Sequence, residues 1–304
     1  MKTGELLNMS LLTINLTNTG NAMTKIMTIE DLKNASPSDI EQIRSNINLA
    51  KLVRDQMSVD GQQTGLTLEE YDEHLATRKD RKEDCRTCKG KGYTLPYKRS
   101  CGTIHASSAH TCRARLYYDV MGTIAPINNI DPALAFTFQI GHALHETVQN
   151  ALSSALGDRF HEEVKIDLPE AFVAGSSCDG LIELDNCRIV LEIKTIGSKF
   201  TSLNSPLDYH RTQAMGIYAT ALDVPFVSTL YVEKAWPHNF KEFVEVYDSN
   251  VYNNWWRQKG KWVEAAIEAG EPPIADSSKW ECVECPYMHA CPQAIDPKEK
   301  RSFK

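Results

Sequence analysis

Apolar positions along the chain switch between a helical and a strand period, and the switches divide it into elements. Ser36-Pro37 and Ser38-x-x-Glu41 are helix-start signals, and Ile40, Ile43, Ile47 and Leu52 supply the apolar face of a helix through about Met57. Thr67-x-x-Glu70 opens a second, short helix ending in the charged run Arg78 to Lys82. A longer helix begins near Asp131, with Pro132 in its first turn, and carries Gly141 and His145 towards Leu156. The pattern then becomes β-like, with strands predicted over about Glu163 to Leu168, Val173 to Leu184 and Arg188 to Thr195. Ser205-Pro206 starts a helix bearing Gln213. Phe226 to Lys234 and Glu242 to Asp248 read as two more strands, and Tyr252 to Ala269 as an amphipathic helix capped by Gly270. Trp255, Trp256 and Trp262 on that helix are read as core rather than as a base-stacking surface. There is no internal repeat and no low-complexity tract. This order predicts an α/β fold with a central mixed sheet and flanking helices.

The segment from Cys178 to Lys194 carries the most chemistry. It reads as two strands around a turn at Asp185-Asn186, residues that tolerate the positive φ of a tight hairpin. A symmetric closure sets Leu184 opposite Cys187 and Asp179 opposite Glu192, and directly opposed residues share a face. Lys194 joins Glu192 on that face, while Leu191, Ile193 and Thr195 point the other way. Two carboxylates and an ammonium on a half-buried sheet are costly unless they bind something. A divalent cation between Asp179 and Glu192, with Lys194 beside its water, satisfies all three. A Glu-x-Lys triplet by itself carries little, since it is often the solvated face of an edge strand. Here the flanking residues are apolar and β-forming, so the charges interrupt a core-like strand.

Composition changes the picture only locally. A chain of 304 residues can bury a substantial core as one elaborated domain with an appended N-terminal segment. The net charge of −7 does not advertise a nucleic-acid binder. Between Ala76 and Arg115, however, eleven Lys or Arg stand against three Asp or Glu, a stretch able to contact phosphates or to serve as a solvated surface. The apolar run Leu6 to Leu16 is broken by Asn8, Ser10 and Asn15 and preceded by Glu5, so it makes a poor signal peptide. No uninterrupted apolar stretch approaches bilayer length. A cytoplasmic, reducing location is expected, because seven of the nine cysteines can be assigned to metal ligation rather than to disulfides.

The cysteines fall into sets. Cys85-x2-Cys88-x12-Cys101-x3-His105 has the spacing of a small zinc-binding loop, and Gly90 and Gly92 allow its tight turn. His110 is an alternative fourth ligand. Cys282-x2-Cys285-x5-Cys291 lies near the end of the chain, and Cys178 and Cys187 on the hairpin read as small buried hydrophobes.

Asp179 with Glu192-x-Lys194 resembles the core of the PD-(D/E)xK nuclease superfamily. Gly141-His142-Ala143-Leu144-His145-Glu146 looks like the Gly-x-x-x-His helix of its RecB-like branch, and Gln213 to Tyr218 resembles the Gln…Tyr helix that follows the hairpin. The family spacing in that helix is usually one residue shorter, so Gln213 transfers better than Tyr218. Cys112, within Ser107 to Tyr118, with the Cys282, Cys285 and Cys291 triplet, is similar to the four cysteines of iron–sulfur members such as AddB-type and CRISPR-adaptation nucleases. A structural zinc site is the alternative for four cysteines, and Cys101 the alternative to Cys112 as upstream ligand.

The resemblance, spanning about Ser107 to Pro292, implies a restriction-endonuclease-like core and Mg2+- or Mn2+-dependent hydrolysis of DNA, as an exonuclease on single-stranded ends or overhangs in recombination, repair or replication. It implies a metal held by His145, Asp179, Glu192 and the carbonyl of Ile193, with Lys194 at the water, Gln213 orienting Lys194 or a phosphate, and Arg113 on the DNA backbone. It also implies a 4Fe–4S cluster on Cys112, Cys282, Cys285 and Cys291. The organisation expected is a flexible segment 1–30, a helical extension 31–83, a zinc knuckle 84–106, a nuclease domain 107–292 and a tail 293–304. Two other functions fit the same residues, an end-processing subunit of a larger complex and a non-catalytic DNA-binding subunit that retains the fold.

Overall fold

The computed structural model describes residues 27–63, 103–108, 110–123, 132–235, 238–276, 281–282 and 285–294. Five strands form one mixed sheet in the order β1-β2-β3-β4-β5: β1 Phe160–Leu168, β2 Val173–Glu183, β3 Arg188–Ile196, β4 Phe226–Glu233 and β5 Phe240–Val246. All neighbours are antiparallel except β3 and β4, which run parallel. A parallel pair needs a crossover, and the helical segment between these two strands supplies it. Strands β3 and β4 are covered on both faces, which explains their near-continuous apolar runs, such as Ile189 to Leu191 and Phe226 to Val227. The helices are α1 Ile29–Leu32, α2 Pro37–Asn46, α3 Leu49–Gln63, α4 Arg113–Val120 and α5 Pro132–Leu156, then α6 in three pieces, and α7 Ser249–Ala269. The pieces of α6 are an α turn at Asp208–Arg211, a π-helix at Thr212–Ala219 and an α turn at Thr220–Leu222. This is a restriction-endonuclease-like core, a mixed sheet flanked by helices. No helix among the described residues is long and apolar enough to cross a membrane.

Two apolar layers hold the helices to the sheet. On one face Leu116 and Val120 of α4, Met215, Ile217 and Tyr218 of α6 and Val263 of α7 pack with Leu181, Val190 and Val227. On the other, Val148 and Leu152 of α5 pack with Ile189, Leu191 and Leu230. Ile43 of α2, Ile47 between the helices, and Leu49, Ala50 and Val53 of α3 belong to that same second layer. The apolar face of α2 and α3, expected as part of a helical extension, packs into the layer formed by the sheet and α5.

Local signals account for the element ends, with revisions. Ser36 caps α2, its Oγ accepting from the Asp39 N–H at 3.2 Å, so the Ser38/Glu41 box is not the one used. The single helix expected through Met57 is two helices, because Ile47 is extended and Asn48 starts α3 afresh, its Oδ1 accepting from the Lys51 N–H at 2.9 Å. Gly270 ends α7 with a positive φ of 70°, as predicted. The β2–β3 turn closes at Asp185-Asn186, but neither residue has a positive φ. A bridge from Met27, whose N–H donates to the Asn186 carbonyl at 2.8 Å, holds the turn instead. Trp262 is only half-buried, beneath the Arg113 guanidinium at 4.1 Å, and the core face of α7 is made by Val263, Ala266 and Ile267. The side chains of Trp255 and Trp256, the helix expected after Thr67, and Cys85, Cys88 and Cys101 of the zinc loop lie outside the described residues. His105 is described, and its Nδ1 shares a hydrogen bond with Ser107 Oγ at 2.8 Å.

Candidate functional site

The predicted hairpin register is the observed one, Gly180 pairing with Leu191 and Glu183 with Arg188. The ladder stops one pair short of Asp179 and Glu192. Beyond it the Asp179 carboxylate turns to β3, and its Oδ2 accepts from the Ile193 N–H at 2.6 Å. Its other oxygen lies 3.6 Å from Nδ1 of His145, which α5 brings to the site. Gly141, one turn earlier on α5, explains the closeness of that helix, since a Cβ there would stand 3.2 Å from Thr195 Oγ1. Glu192 and Lys194 contact each other on β3, opposite Thr229 and Tyr231 of β4. His145, Asp179, Glu192 and Lys194 thus come together from α5, β2 and β3.

Glu192 is 1% exposed, and burial pushes its carboxyl up to about 8 despite the Lys194 ammonium, with Asp179 adding to the rise. Burial works against the charge on Lys194, but Glu192 and Asp179 outweigh it and hold the ammonium above its ordinary value. Behind them the Gln213 amide donates to the Tyr218 hydroxyl. Both side chains are buried, and burial with the nearby Glu192 carboxylate raises the Tyr218 phenol. The π-helix makes this pairing: its wider turn aligns residues five apart, where an α-helix aligns residues three or four apart. The extra residue between Gln213 and Tyr218 is absorbed without separating them.

Sequence reasoning missed Glu163. It lies on β1 between the pairs Glu162–Gly180 and Val164–Cys178, level with Asp179, and takes a left-handed φ of 49°. Ser177 Oγ donates to its carboxylate at 2.5 Å, and the Gln149 amide donates both to it at 3.3 Å and to the Asp179 carbonyl at 2.9 Å. Only the β1–β2 register reveals this third carboxylate, and no tight turn between those strands signals the register in advance. Glu163, Asp179, His145, His142, Thr195 and Lys234 line one cleft of about 300 Å3.

The cysteines separate into two kinds. Cys178 and Cys187 are fully buried, and burial pushes both thiols up to about 12, which suits small core residues. Cys112, Cys282, Cys285 and Cys291, none of them in a disulfide, line a second cavity of about 150 Å3, formed where α4 meets the C-terminal segment. Thiols are the kind of donor an iron–sulfur cluster takes. Among the described residues no three His, Cys, Asp or Glu side chains are gathered as the ligand shell of a single metal ion, here or in the Asp179 cleft. Glu192 Oε1, buried on β3, makes no hydrogen bond, and its contact is the Lys194 ammonium. A hard cation suits such an oxygen, together with Asp179 and His145, once Lys194 shifts. Arg113, expected on DNA, is partly exposed; its backbone N–H and Nε each meet the Asp276 carboxylate at 2.8 Å, and its guanidinium covers Trp262.

No protein-family model and no curated protein matches the chain. Among solved structures it is similar to the crystal structure of SSO0001, with 18% identity, 71% of this chain and 95% of that one covered, and a TM-score of 0.42. It is also similar to an alkaline exonuclease (LHK-Exo) from Laribacter hongkongensis, with 16% identity, 56% and 89% coverage and a TM-score of 0.43.

Proposed function

We propose that this chain is a Mg2+- or Mn2+-dependent deoxyribonuclease of the PD-(D/E)xK kind, in its RecB-like, iron–sulfur branch, acting as an exonuclease on single-stranded ends or overhangs in recombination, repair or replication. One observation carries the reading: Asp179 and His145 meet where β2 and β3 part, beside a buried Glu192 whose partner is Lys194. Charged groups so placed are expensive in a purely structural role.

His145, Asp179, Glu192 and the Ile193 carbonyl would hold the cation. When bound, it neutralises charge on the phosphate and makes water more acidic. Glu192 would have to give up its contact with Lys194 on loading. The freed ammonium is then available to orient the attacking water and to hold or exchange its proton. Asp179 is kept in place by the Ile193 N–H, and Gln149 ties its backbone to Glu163. Gln213, buried against Tyr218, backs the Glu192–Lys194 pair and orients Lys194 or a phosphate.

Cys112, Cys282, Cys285 and Cys291 would hold a 4Fe–4S cluster that ties α4 to the C-terminal segment. A structural Zn2+ on Cys85, Cys88, Cys101 and His105 belongs to the same reading, with the nuclease domain extending over 107–292. Substitutions test the whole. Asp179→Ala and Glu192→Ala should each abolish Mg2+- and Mn2+-dependent cleavage of labelled oligonucleotides while circular dichroism shows an intact fold. Full activity in both variants would sink the assignment.

A further inference from the structure

Two groups in the Asp179 cleft have no part in the proposed hydrolysis. Lys234 immediately follows β4, and its backbone N–H is anchored on the Ile196 carbonyl at 2.8 Å. Its ammonium reaches across to the Thr137 carbonyl of α5 at 3.5 Å, the outer limit of a hydrogen bond. Among the described residues no carboxylate pairs with it. Phe138, next to that carbonyl and one turn before His142, lines the same cleft and leaves half its surface, 50%, in solvent. A single exposed phenylalanine is ordinary on a protein surface. With the loosely held Lys234 ammonium it lines a cleft that also bears Asp179 and Glu163, which places a stacking face and a cation in one cleft. Single-stranded nucleic acid is recognised by that combination, an aromatic ring for the base and a positive charge for the backbone.

We propose that Phe138 and Lys234 form a nucleotide subsite beside the candidate metal position, the base of one unpaired nucleotide stacking on the Phe138 ring and its phosphate meeting the Lys234 ammonium. The inference rests on the nuclease reading and names the residues that would choose the end. A base held in a duplex has its faces covered by its neighbours, so it reaches Phe138 only after unstacking. An overhang presents such a base already, and the subsite discriminates in its favour. The Asp179 and Glu163 carboxylates of the same cleft repel phosphate unless a cation is present, and Lys234 supplies a positive charge there.

The test reads binding and cleavage separately on the anaerobically purified full chain. Fluorescence anisotropy with labelled single-stranded oligonucleotides in Ca2+ should show Phe138→Ala weakening affinity by roughly tenfold. The same variant should bind normally relative to wild type when the strand carries an abasic residue at the stacked position. Lys234→Met should weaken binding and lower the slope of log affinity against log salt by about 0.7, the loss of one phosphate contact. Phe136→Ala, a more exposed ring on the same helix outside the cleft, should change nothing. Variants that bind as wild type, or a Phe138→Ala loss that persists on abasic strands, overturn the subsite, as does a wild-type protein that binds no oligonucleotide. Wild-type cleavage in Mn2+ with unaltered variants leaves the nuclease reading standing and removes the subsite. Binding with the expected dependence but without any cleavage does the reverse.

Discussion

Lys194 and Glu192 stand in contact inside the sheet, and each sets the other's charge. Lys194→Ala should therefore abolish or severely lower turnover while sparing Mn2+ binding, which calorimetry can follow; loss of both metal and fold would make Lys194 a structural partner only. His145 is a borderline nitrogen ligand and suits Mn2+ better than Mg2+. His145→Ala should weaken Mn2+-supported cleavage more than Mg2+-supported cleavage, in parallel assays with each ion. His210, near Lys194 but outside the proposed ligand set, gives a pH prediction. Burial first, then the charges of Lys194 and His110, lower its imidazole to about 3 from an ordinary 6.5, and its Nδ1 shares a hydrogen bond with Tyr231 Oη at 2.8 Å. The unfolded chain binds the extra proton in the window between those values. Stability from this group is complete above 6.5 and is lost as pH falls through the window, by at most about 1.4 kcal/mol per unit. His210→Gln should reduce the stability lost between about pH 7 and about pH 5 in denaturant titrations.

The π-helix of α6 and the contact of α7 with the sheet layer are properties of elements rather than of single side chains. A π turn gives up regular α hydrogen bonding, and here the buried Gln213–Tyr218 pair accompanies it. Tyr218→Phe leaves the Gln213 amide without its acceptor and should lower unfolding free energy by about 1–3 kcal/mol in denaturant melts. Helix α7 approaches the turn at Pro169–Ala171 through Gly260, where a Cβ would stand 2.2 Å from the Glu170 carbonyl oxygen. That neighbour is backbone and cannot rotate away. Gly260→Ala should consequently destabilise by about 1–3 kcal/mol although alanine favours helix, a shift visible in thermal melts.

Across the whole molecule, α4 and the C-terminal segment meet through Tyr117, Tyr118 and Tyr287, with Cys112, Cys285 and Cys291 packed against them. The Tyr287 hydroxyl donates to the buried Asp119 carboxylate at 2.6 Å. A metal group on Cys112 and Cys282 closes a loop of 282 − 112 = 170 positions, so its loss should loosen the whole fold rather than one end. Elemental analysis after anaerobic purification should give about four irons per chain, and Cys112→Ser should bleach the chromophore, lower stability and expose the C-terminal tail to proteolysis. Zinc without iron would reassign the cavity to structural zinc. Iron lost from Cys101→Ser but kept in Cys112→Ser would show the upstream ligand to be Cys101.

Periodicity alone determined the succession of strands and the long α5 that carries Gly141 and His145, because these depend on residues adjacent along the chain; the register around Asp185-Asn186 was legible as well, although a contact from Met27 holds its turn. The catalytic candidates Asp179, Glu192 and Lys194 were legible for the same reason: one hairpin encodes all three. Tertiary structure decided the rest. Glu163 comes level with Asp179 through a β1–β2 register that no tight turn announces, and Gln213 meets Tyr218 only because the helix widens locally. Ile43 and Val53 join the sheet core, Arg113 turns to Asp276, and Lys234 reaches α5 nearly a hundred positions away, all through contacts between distant segments. Local pattern records which face of an element is apolar. It does not record what that face meets, because the partner is selected by the packing of the whole chain.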